Sequence, residues 1–270
     1  MRNESKKLPQ NVIAIVPARL SSTRLPNKLL LPIAEKPLIV WTVEQAEKAA
    51  NVARVIVATD SREILKIVEE NGHEAILTAE THQSGSDRIA EVSETLLENS
   101  IIVNVQGDEP LIDPTTIERA VEAVLRDASI QMATTCEFFH DVEDVLSADV
   151  VKVVMNADNF AVYFSRSPIP FPREAVKQYG SLENALRTET DLIRQFRKHT
   201  GLYVYRREFL LRYTKLNQST LEKIEMLEQL RALENGARIK VIEVGGSSIG
   251  VDTLEDFEKV KRIIEGRQIS

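Results

Sequence analysis

Residues 12–28 read VIAIVPARLSSTRLPNK, and this stretch decides how the rest of the chain is interpreted. Its first five residues form an apolar, β-branched run that is too short for a surface helix and is typical of a buried strand. A segment with apolar residues at helical spacing follows at 37–50, and a second β-branched run, RVIVAT, occupies 54–59. A strand, a helix and a strand joined by short connections predict a βαβ unit with parallel strands.

The same alternation continues through the first half of the chain. Further strands are predicted at 75–78 and 101–106, and further amphipathic helices around 64–72, 89–97 and 117–125. The pattern therefore predicts an α/β protein with a mostly parallel central sheet and helices on both faces. In such sheets a ligand binds in a crevice at the carboxyl ends of the strands.

The second half of the chain is less regular, and we interpret it as a strand-rich insertion. Helices do not separate every pair of its predicted strands, which lie at 131–137, 151–155, 160–164 and 201–206. The charged stretch 172–198 has no clear period and could be a mobile loop or a lid. Beyond the insertion we predict one long helix at 219–236, a strand at 239–244 and a closing helix at 253–264. The long helix should begin with a capping box, Ser219 with Glu222, and end at Gly236.

Composition narrows the class of protein. The chain has 270 residues, of which 43% are hydrophobic, and 34 Lys and Arg against 41 Asp and Glu give a net charge of −7. This balance excludes disordered and fibrous classes and argues against a general nucleic-acid binder, which needs a basic face. We predict a single α/β domain at 12–266 after a disordered tail at 1–11. No apolar run approaches the ~20 residues that span a bilayer, and the lone Cys136 suits a reducing compartment, so we expect a cytoplasmic protein.

The loop after the first strand concentrates groups that bind phosphate. Arg19, Arg24 and Lys28 stand within ten residues together with three hydroxyl side chains. Arg and Lys supply the charge and the hydrogen-bond donors that phosphate oxygens need. The loop contains no glycine, so it is neither a P-loop nor a dinucleotide fingerprint. The alternative is a solvated basic loop.

Carboxylates at two other positions could bind a metal. Asp108 follows the predicted strand at 101–106 within the sequence QGDEP, which places it in the crevice, and Mg²⁺ favours one or two carboxylates plus substrate phosphates. Asp252 precedes the last helix, where the residues by themselves favour a capping pair with Glu255 over a metal ligand. Asp108 and the adjacent Glu109 could also merely cap a turn, so these residues leave both interpretations open.

Two further groups have both a structural and a functional interpretation. Ser84 and Gly85 open a predicted helix, where they could read the edge of a base or simply form its N-cap. Glu222, Glu225 and Glu228 lie at three-residue steps on the predicted long helix, which indicates a solvated acidic face. The four histidines of the chain show no metal-ligand spacing.

Eight motifs in order resemble those of the 3-deoxy-manno-octulosonate (Kdo) cytidylyltransferases, over about residues 12–264. They are PAR-x-x-STRLP-x-K (17–28), VATD (57–60), SGSDR (84–88), VNVQGDEP (103–110), YFSR-x-x-IP (163–170), KHTGLYVYR (198–206), EMLEQLRALENG (225–236) and GVDT (250–253). The resemblance implies a Rossmann-like nucleotide-diphosphosugar-transferase fold. It also implies a Mg²⁺-dependent reaction in which CTP and Kdo give CMP-Kdo and pyrophosphate, for the inner core of lipopolysaccharide. A homodimer is implied as well, with residues 131–206 supplying the contact and part of the sugar site.

The resemblance also implies a role for individual residues. The nucleotide would be held by Ala18, Arg19, Ser22, Lys28, Ser84, Gly85 and Gln106, with Ser84 and Gly85 reading cytosine. The sugar acid would be surrounded by Arg24, Gln106, Arg166, His199, Tyr203, Glu228 and Gln229. Mg²⁺ would be held by Asp108 and Asp252, which form the catalytic group with Arg24 and Lys28. The alternatives are a related acceptor such as 8-amino-Kdo, and a nucleotide-binding module without turnover.

Overall fold

The computed structural model describes residues 11–20, 24–245 and 249–268. The strands are β1 (Val12–Ala18), β2 (Pro32–Ile33), β3 (Lys36–Pro37), β4 (Arg54–Thr59), β5 (Ala75–Leu77), β6 (Ile101–Asn104), β7 (Met132–Phe138), β8 (Lys152–Met155), β9 (Ala161–Ser165), β10 (Arg197–Arg206) and β11 (Ile239–Glu243). The α-helices are α1 (Leu38–Glu47), α2 (Arg62–Glu70), α3 (Gly85–Glu94), α4 (Pro114–Arg126), α5 (Val142–Leu146), α6 (Arg173–Tyr179), α7 (Leu182–Thr188), α8 (Arg207–Tyr213), α9 (Thr220–Glu225), α10 (Gln229–Glu234) and α11 (Leu254–Gln268). Two 3₁₀ helices occupy Lys28–Leu30 and Thr190–Gln195.

The main sheet has the strand order β11-β7-β10-β6-β1-β4-β5, with the β8–β9 hairpin attached to β10. Pairs β1–β4, β1–β6, β4–β5 and β7–β11 are parallel, whereas β10 runs antiparallel to both β6 and β7. The mostly parallel sheet is therefore confirmed. Because β1 and β6 are parallel neighbours, the loops that follow them leave the same edge of the sheet, as the crevice rule requires.

Helices cover both faces of the sheet, as predicted, and β1 shows how. Val12, Ala14 and Val16 belong to one buried apolar cluster, while Ile13 and Ile15 belong to a second. Successive side chains of a strand point to opposite faces, so a strand buried on both sides needs an unbroken apolar run. Helices α1, α4 and α11 pack on the first face, and α3, α8 and α10 on the second.

The antiparallel strand β10 contains a bulge that sequence periodicity did not reveal. Its pairing with β7 shifts between Thr200 and Tyr203. Residues four apart in a regular strand lie about 13 Å apart, yet the ring centroids of His199 and Tyr203 are 5.5 Å apart. The bulge also brings the backbone of Gly201 against Gln106, whose Cγ would lie 3.3 Å from a Cβ at that position.

Residues 172–198, interpreted from the sequence as a mobile loop or a lid, have regular secondary structure, so the loop alternative was wrong. The structure gives this segment two α-helices, α6 and α7, the second 3₁₀ helix and the start of β10. The periodicity is hard to recognise because each helix has only seven residues. Leu186, Leu192 and Phe196 are buried there with Phe139 and Val145 in a third apolar cluster.

The prediction of one helix at 219–236 was also wrong. The capping box of Ser219 with Glu222 is confirmed, but α9 ends at Glu225, and Met226 takes a left-handed conformation with φ of 52° before α10 begins. The guanidinium of Arg166 donates to the carbonyl oxygens of Glu225 and Met226 at 2.8 and 3.4 Å. These tertiary bonds satisfy carbonyls near the end of α9, so the helix can stop there without leaving them unpaired.

The three glutamates of this segment consequently do not share a solvated face. Glu222 is buried and accepts two hydrogen bonds from Arg231, at 2.8 and 2.6 Å. The carboxylate of Glu225 accepts from Ser165 Oγ at 2.7 Å and from the backbone N–H of Arg166 at 2.9 Å. Glu228 faces helix α3. Each carboxylate is held by a different partner because the chain turns between them.

At the N-terminus, residues 1–10 of the predicted tail lie outside the described residues. The carbonyl of Asn11 accepts a hydrogen bond from the N–H of Ile101 at 2.8 Å, so pairing with the sheet begins one residue before the predicted start.

The Glu222–Arg231 pair makes a prediction about stability. The two side chains are only 6% and 8% exposed, so Glu222→Ala leaves a buried guanidinium without its carboxylate. We expect the free energy of unfolding to fall by about 3–5 kcal/mol, measured by urea denaturation. Glu69→Ala, at an exposed position on α2, is the control and should change it by about 0.5 kcal/mol or less. Equal, small effects in both variants would show that the pair is not structural.

Candidate active site

The cationic side chains of the loop after β1 lie at the carboxyl edge of the sheet. Ala18 is buried at the end of β1, Arg19 and Arg24 are exposed, and Lys28 is half-buried at the start of the first 3₁₀ helix. Ser22, which the resemblance assigns to the nucleotide, lies outside the described residues. The structure thus places Arg19, Arg24 and Lys28 together around one opening, and the loop is not simply a solvated basic segment.

Lys28 connects two carboxylates that are remote in sequence. Its Nζ donates to Asp108 Oδ2 at 2.5 Å and to Asp252 Oδ1 at 2.9 Å, and Arg24 donates to Asp252 Oδ2 at 2.9 Å. Burial alone would lower the pKa of Lys28, but the charges and hydrogen bonds of the two aspartates outweigh it and raise the pKa above its ordinary value. The ammonium therefore stays charged between two carboxylates.

Backbone contacts hold Asp108 and Asp252 near each other independently of Lys28. The N–H of Val251 donates to the carbonyl of Asp108 at 2.9 Å. Thr42 Oγ1 donates to the carbonyl of Gly107 at 3.0 Å, which ties the loop after β6 to helix α1. A Cβ at Gly107 would lie 3.0 Å from the carbonyl oxygen of Pro17, so glycine permits this close approach.

The structure decides between the two interpretations of Asp252. Thr253 and Asp256 form the cap of α11: Asp256 Oδ2 accepts from the N–H of Thr253 at 2.8 Å, and Thr253 Oγ1 accepts from the N–H of Asp256 at 3.2 Å. The predicted alternative, in which Asp252 pairs with Glu255 as a cap, was wrong. The side chain of Asp252 is left to face Arg24 and Lys28.

The N-cap interpretation of Ser84 is confirmed, and its contact with a base stays a prediction. Ser84 is the N-cap of α3, with Asp87 completing a capping box, and its hydroxyl also reaches Glu228 Oε1 at 3.3 Å. Ser84 and Gly85 line the same cavity as the cations of the first loop. The cap fixes the start of α3, and the exposed edge of that turn faces the cavity.

This first cavity has a volume of about 330 Å³. Its lining residues come from four segments that converge at the carboxyl edge of the sheet: Pro17, Ala18, Arg19, Arg24, Lys28, Leu29, His82, Gln83, Ser84, Gly85, Arg88, Gln106, Gly107, Asp108 and Asp252. Cationic groups at one side and the start of a helix at the other suit an anion with a polar ring attached.

Six of the lining residues were not among the predicted site residues, and three of these six have polar side chains: His82, Gln83 and Arg88. His82 and Gln83 precede α3, and Arg88, buried within it, donates to Asp60 Oδ2 and Thr78 Oγ1. These bonds fasten α3 to the ends of β4 and β5, which sets the position of Ser84 and Gly85. The sequence did contain a signal for Arg88, because Arg88 and its partner Asp60 are the last residues of the motifs SGSDR and VATD.

A second, smaller cavity of about 160 Å³ adjoins the first and shares Gly85 and Gln106 with it. Its other lining residues are Ser86, Asn104, Tyr203, Tyr205, Tyr213, Glu228 and Gln229. Gln229 Nε2 is buried there and has no hydrogen-bond partner among the described residues. A buried amide without a partner costs free energy unless something binds it, so this atom indicates a place for a polar ligand.

Two residues that the resemblance assigns to the sugar acid do not line either cavity. Arg166 donates through its guanidinium to the carbonyls of Ala148, Glu225 and Met226. His199 Nε2 lies 2.9 Å from Thr134 Oγ1, and burial lowers its pKa to about 3, which keeps the ring neutral. Both support the walls of the second cavity, His199 through its contact with Tyr203 and Arg166 through the segment before Gln229.

The sequence of the chain is similar to those of known proteins. It matches the sequence model of a family described as cytidylyltransferase over residues 13–239. A curated 3-deoxy-manno-octulosonate cytidylyltransferase from Trichlorobacter lovleyi is 47% identical over 93% of this chain and 97% of its own length. Another of the same name, from Francisella tularensis subsp. novicida, is 45% identical over 94% of this chain and 98% of its own.

The backbone of the chain is also similar to that of a solved structure. The structure described as CMP:2-keto-3-deoxy-manno-octonic acid synthetase complexed with CTP superimposes with a TM-score of 0.85 at 38% sequence identity. The match covers 95% of this chain and 99% of that one. Because sequence and backbone agree over nearly the whole length of both, the chain belongs to the 3-deoxy-manno-octulosonate cytidylyltransferase family.

Proposed function

We propose that this chain transfers CMP from CTP to the anomeric hydroxyl of Kdo, which yields CMP-Kdo and pyrophosphate. The observation that carries the proposal is the meeting of Lys28, Asp108 and Asp252 at the mouth of a cavity that continues into a second one. The first cavity has the cations and the helix start that a cytidine triphosphate needs, and the second is lined by hydroxyl, carboxylate and amide groups suited to a sugar.

The transfer is a substitution at the α-phosphorus. A bond forms between the anomeric oxygen and the α-phosphorus, the bond to the β-phosphate oxygen breaks, and the hydroxyl proton is lost to solvent. Both reactants are anions, so cationic side chains must neutralise charge before they meet. Arg19, Arg24 and Lys28 supply that charge at the opening of the first cavity.

We further propose that Asp108 and Asp252 hold Mg²⁺. The two carboxylates fit a small cation, because both contact the single atom Lys28 Nζ at 2.5 and 2.9 Å. No cluster of three or more His, Cys, Asp or Glu occurs among the described residues, so the remaining ligands would be phosphate and water oxygens, as Mg²⁺ prefers. When bound, the cation neutralises phosphate charge and lowers the pKa of the attacking hydroxyl.

The remaining residues have proposed roles that follow their positions. Ser84 and Gly85 would contact cytosine at the start of α3, beside the phosphates held near Ala18. Gln106 belongs to both cavities, so it would lie between nucleotide and sugar. Tyr203, Glu228 and Gln229 would contact the sugar acid in the second cavity, which His199 and Arg166 support from behind.

We also propose that the protein acts as a homodimer through its strand-rich part, residues 131–206. Among the described residues β9 pairs as a strand only with β8, and one isolated bridge, between Phe160 and Lys240, lies just before its first residue. Val162 on β9 is 61% exposed, and Ile224 and Met226, which flank Glu225 beside that strand, are 72% and 76% exposed. Exposed apolar side chains beside a strand are a feature that a second copy of the chain would cover.

No helix among the described residues is long and apolar enough to cross a membrane. Since the proposed donor is a nucleoside triphosphate of the cell interior, we place the reaction in the cytoplasm.

The reaction is tested by pyrophosphate release with Mg²⁺, with CTP, UTP, ATP and GTP each offered to Kdo, 8-amino-Kdo and N-acetylneuraminate. We expect release with CTP and Kdo, because the chain belongs to the 3-deoxy-manno-octulosonate cytidylyltransferase family. Release with CTP and 8-amino-Kdo alone would keep the mechanism and change the acceptor. If CTP bound but no pair of substrates released pyrophosphate, the chain would be a nucleotide-binding module without turnover.

The metal assignment predicts the effect of two substitutions. Asp108→Asn and Asp252→Asn should each lower kcat/KM by about 100-fold or more, because replacing a metal ligand costs at least as much as replacing the groups that orient it. Both should also weaken Mn²⁺ binding in the presence of CTP, measured by electron paramagnetic resonance. Asp158→Asn, exposed in the turn between β8 and β9, is the matched control. Wild-type Mn²⁺ binding in both variants would contradict the assignment.

A further inference from the structure

The wall between the two cavities is built around one carboxylate, that of Glu228. Its Oε1 accepts a hydrogen bond from Ser84 Oγ at 3.3 Å, and its Oε2 accepts from Ser86 Oγ at 3.0 Å. Ser84 lines the first cavity, whereas Ser86 and Glu228 line the second. The first turn of α3 therefore contacts the proposed nucleotide site on one side and fastens a group of the proposed sugar site on the other.

Ser86 is more deeply buried than Ser84. It is only 4% exposed, and it lines the second cavity together with Tyr205. A serine hydroxyl has one proton to give, and the 3.0 Å contact directs that proton to Glu228 Oε2.

A second group that could bind the Glu228 carboxylate is the guanidinium of Arg231 on helix α10. Arg231 NH2 is 3.8 Å from Glu228 Oε1, beyond hydrogen-bond distance, and Arg231 is held in place by its two bonds to Glu222. A carboxylate without the Ser86 bond could turn toward this guanidinium and away from the cavity. Burial also raises the pKa of Glu228, and the Ser86 hydrogen bond opposes that rise and so favours the ionised form.

We propose that Ser86 is a positioning residue for the acceptor: its hydroxyl holds the Glu228 carboxylate toward the second cavity, where that carboxylate accepts hydrogen bonds from the hydroxyls of the sugar acid. The inference rests on the proposed function, because it takes the second cavity as the sugar site. Ser86 acts through Glu228 and does not contact the reacting atoms.

The first test compares Ser86→Ala with Ser93→Ala. Ser93 is a buried serine of the same helix whose hydroxyl, within the described part of the chain, bonds only to the carbonyl of Ile89. Its removal therefore matches the loss of a buried hydroxyl without touching Glu228. We expect Ser86→Ala to raise the KM for Kdo about tenfold, the range for a hydrogen bond to a charged group, and to leave the KM for CTP within about twofold. Ser93→Ala should leave both KM values at those of the wild type.

A double-mutant cycle with Glu228→Gln shows whether the effect passes through Glu228. If it does, adding Ser86→Ala to Glu228→Gln raises the KM for Kdo much less than it does in the wild type. An undiminished effect in that background would overturn the proposal, as would a Ser86→Ala variant whose two KM values rise equally or do not change.

Ser86→Cys preserves side-chain volume but is a weak donor, and it carries the test if the alanine variant does not fold. It should raise the KM for Kdo several-fold, and a wild-type value in the folded cysteine variant would overturn the proposal. Failure of the inference and failure of the proposed function are distinguishable. In the first case the wild type turns over Kdo and Glu228→Gln weakens its use, but Ser86→Ala does not; in the second, the wild type does not turn over Kdo.

Discussion

The ammonium group of Lys28 lies between the carboxylates of Asp108 and Asp252, and the architecture of the site depends on bringing these three side chains together. Asp108 is 80 residues and Asp252 is 224 residues from Lys28 in sequence. Two carboxylates held this close repel each other, and a cation between them offsets that repulsion. In this structure that cation is the ammonium group of Lys28, and the proposed Mg²⁺ would bind to the same two carboxylates.

The sheet topology is what makes that meeting possible. β1 and β6 are parallel neighbours, so the loops that carry Lys28 and Asp108 open on the same edge. Asp252 arrives from the far end of the chain, and the bond from the N–H of Val251 to the carbonyl of Asp108 sets its register. Asp252 is free to face Lys28 because Asp256 caps the last helix.

Strand β10, the one antiparallel strand in the main sheet order of the described residues, positions residues around the second cavity. The bulge in β10 brings the rings of His199 and Tyr203 together and places Gly201 beside Gln106. Gln106 lines both cavities, so the bulged strand packs against a residue at the boundary between the proposed nucleotide and sugar sites. The break between α9 and α10 completes this cavity, since it directs Glu228 toward α3 while Glu222 stays in the core with Arg231.

The sequence by itself determined the α/β class, the mostly parallel sheet and the cationic loop, because these depend on local features: apolar runs, helical spacing and the residues that follow a strand. Its ordered motifs also identified the family, and most of the residues assigned through them do line the two cavities. Only the tertiary structure decided which of two partners a polar side chain takes. Glu222, Glu225 and Glu228 take different partners, Asp256 caps α11 in place of Asp252, and the guanidinium of Arg166 bonds to backbone carbonyls. The cap of α11 is itself a local contact between Thr253 and Asp256, but the other outcomes depend on groups distant in sequence, which no local periodicity encodes.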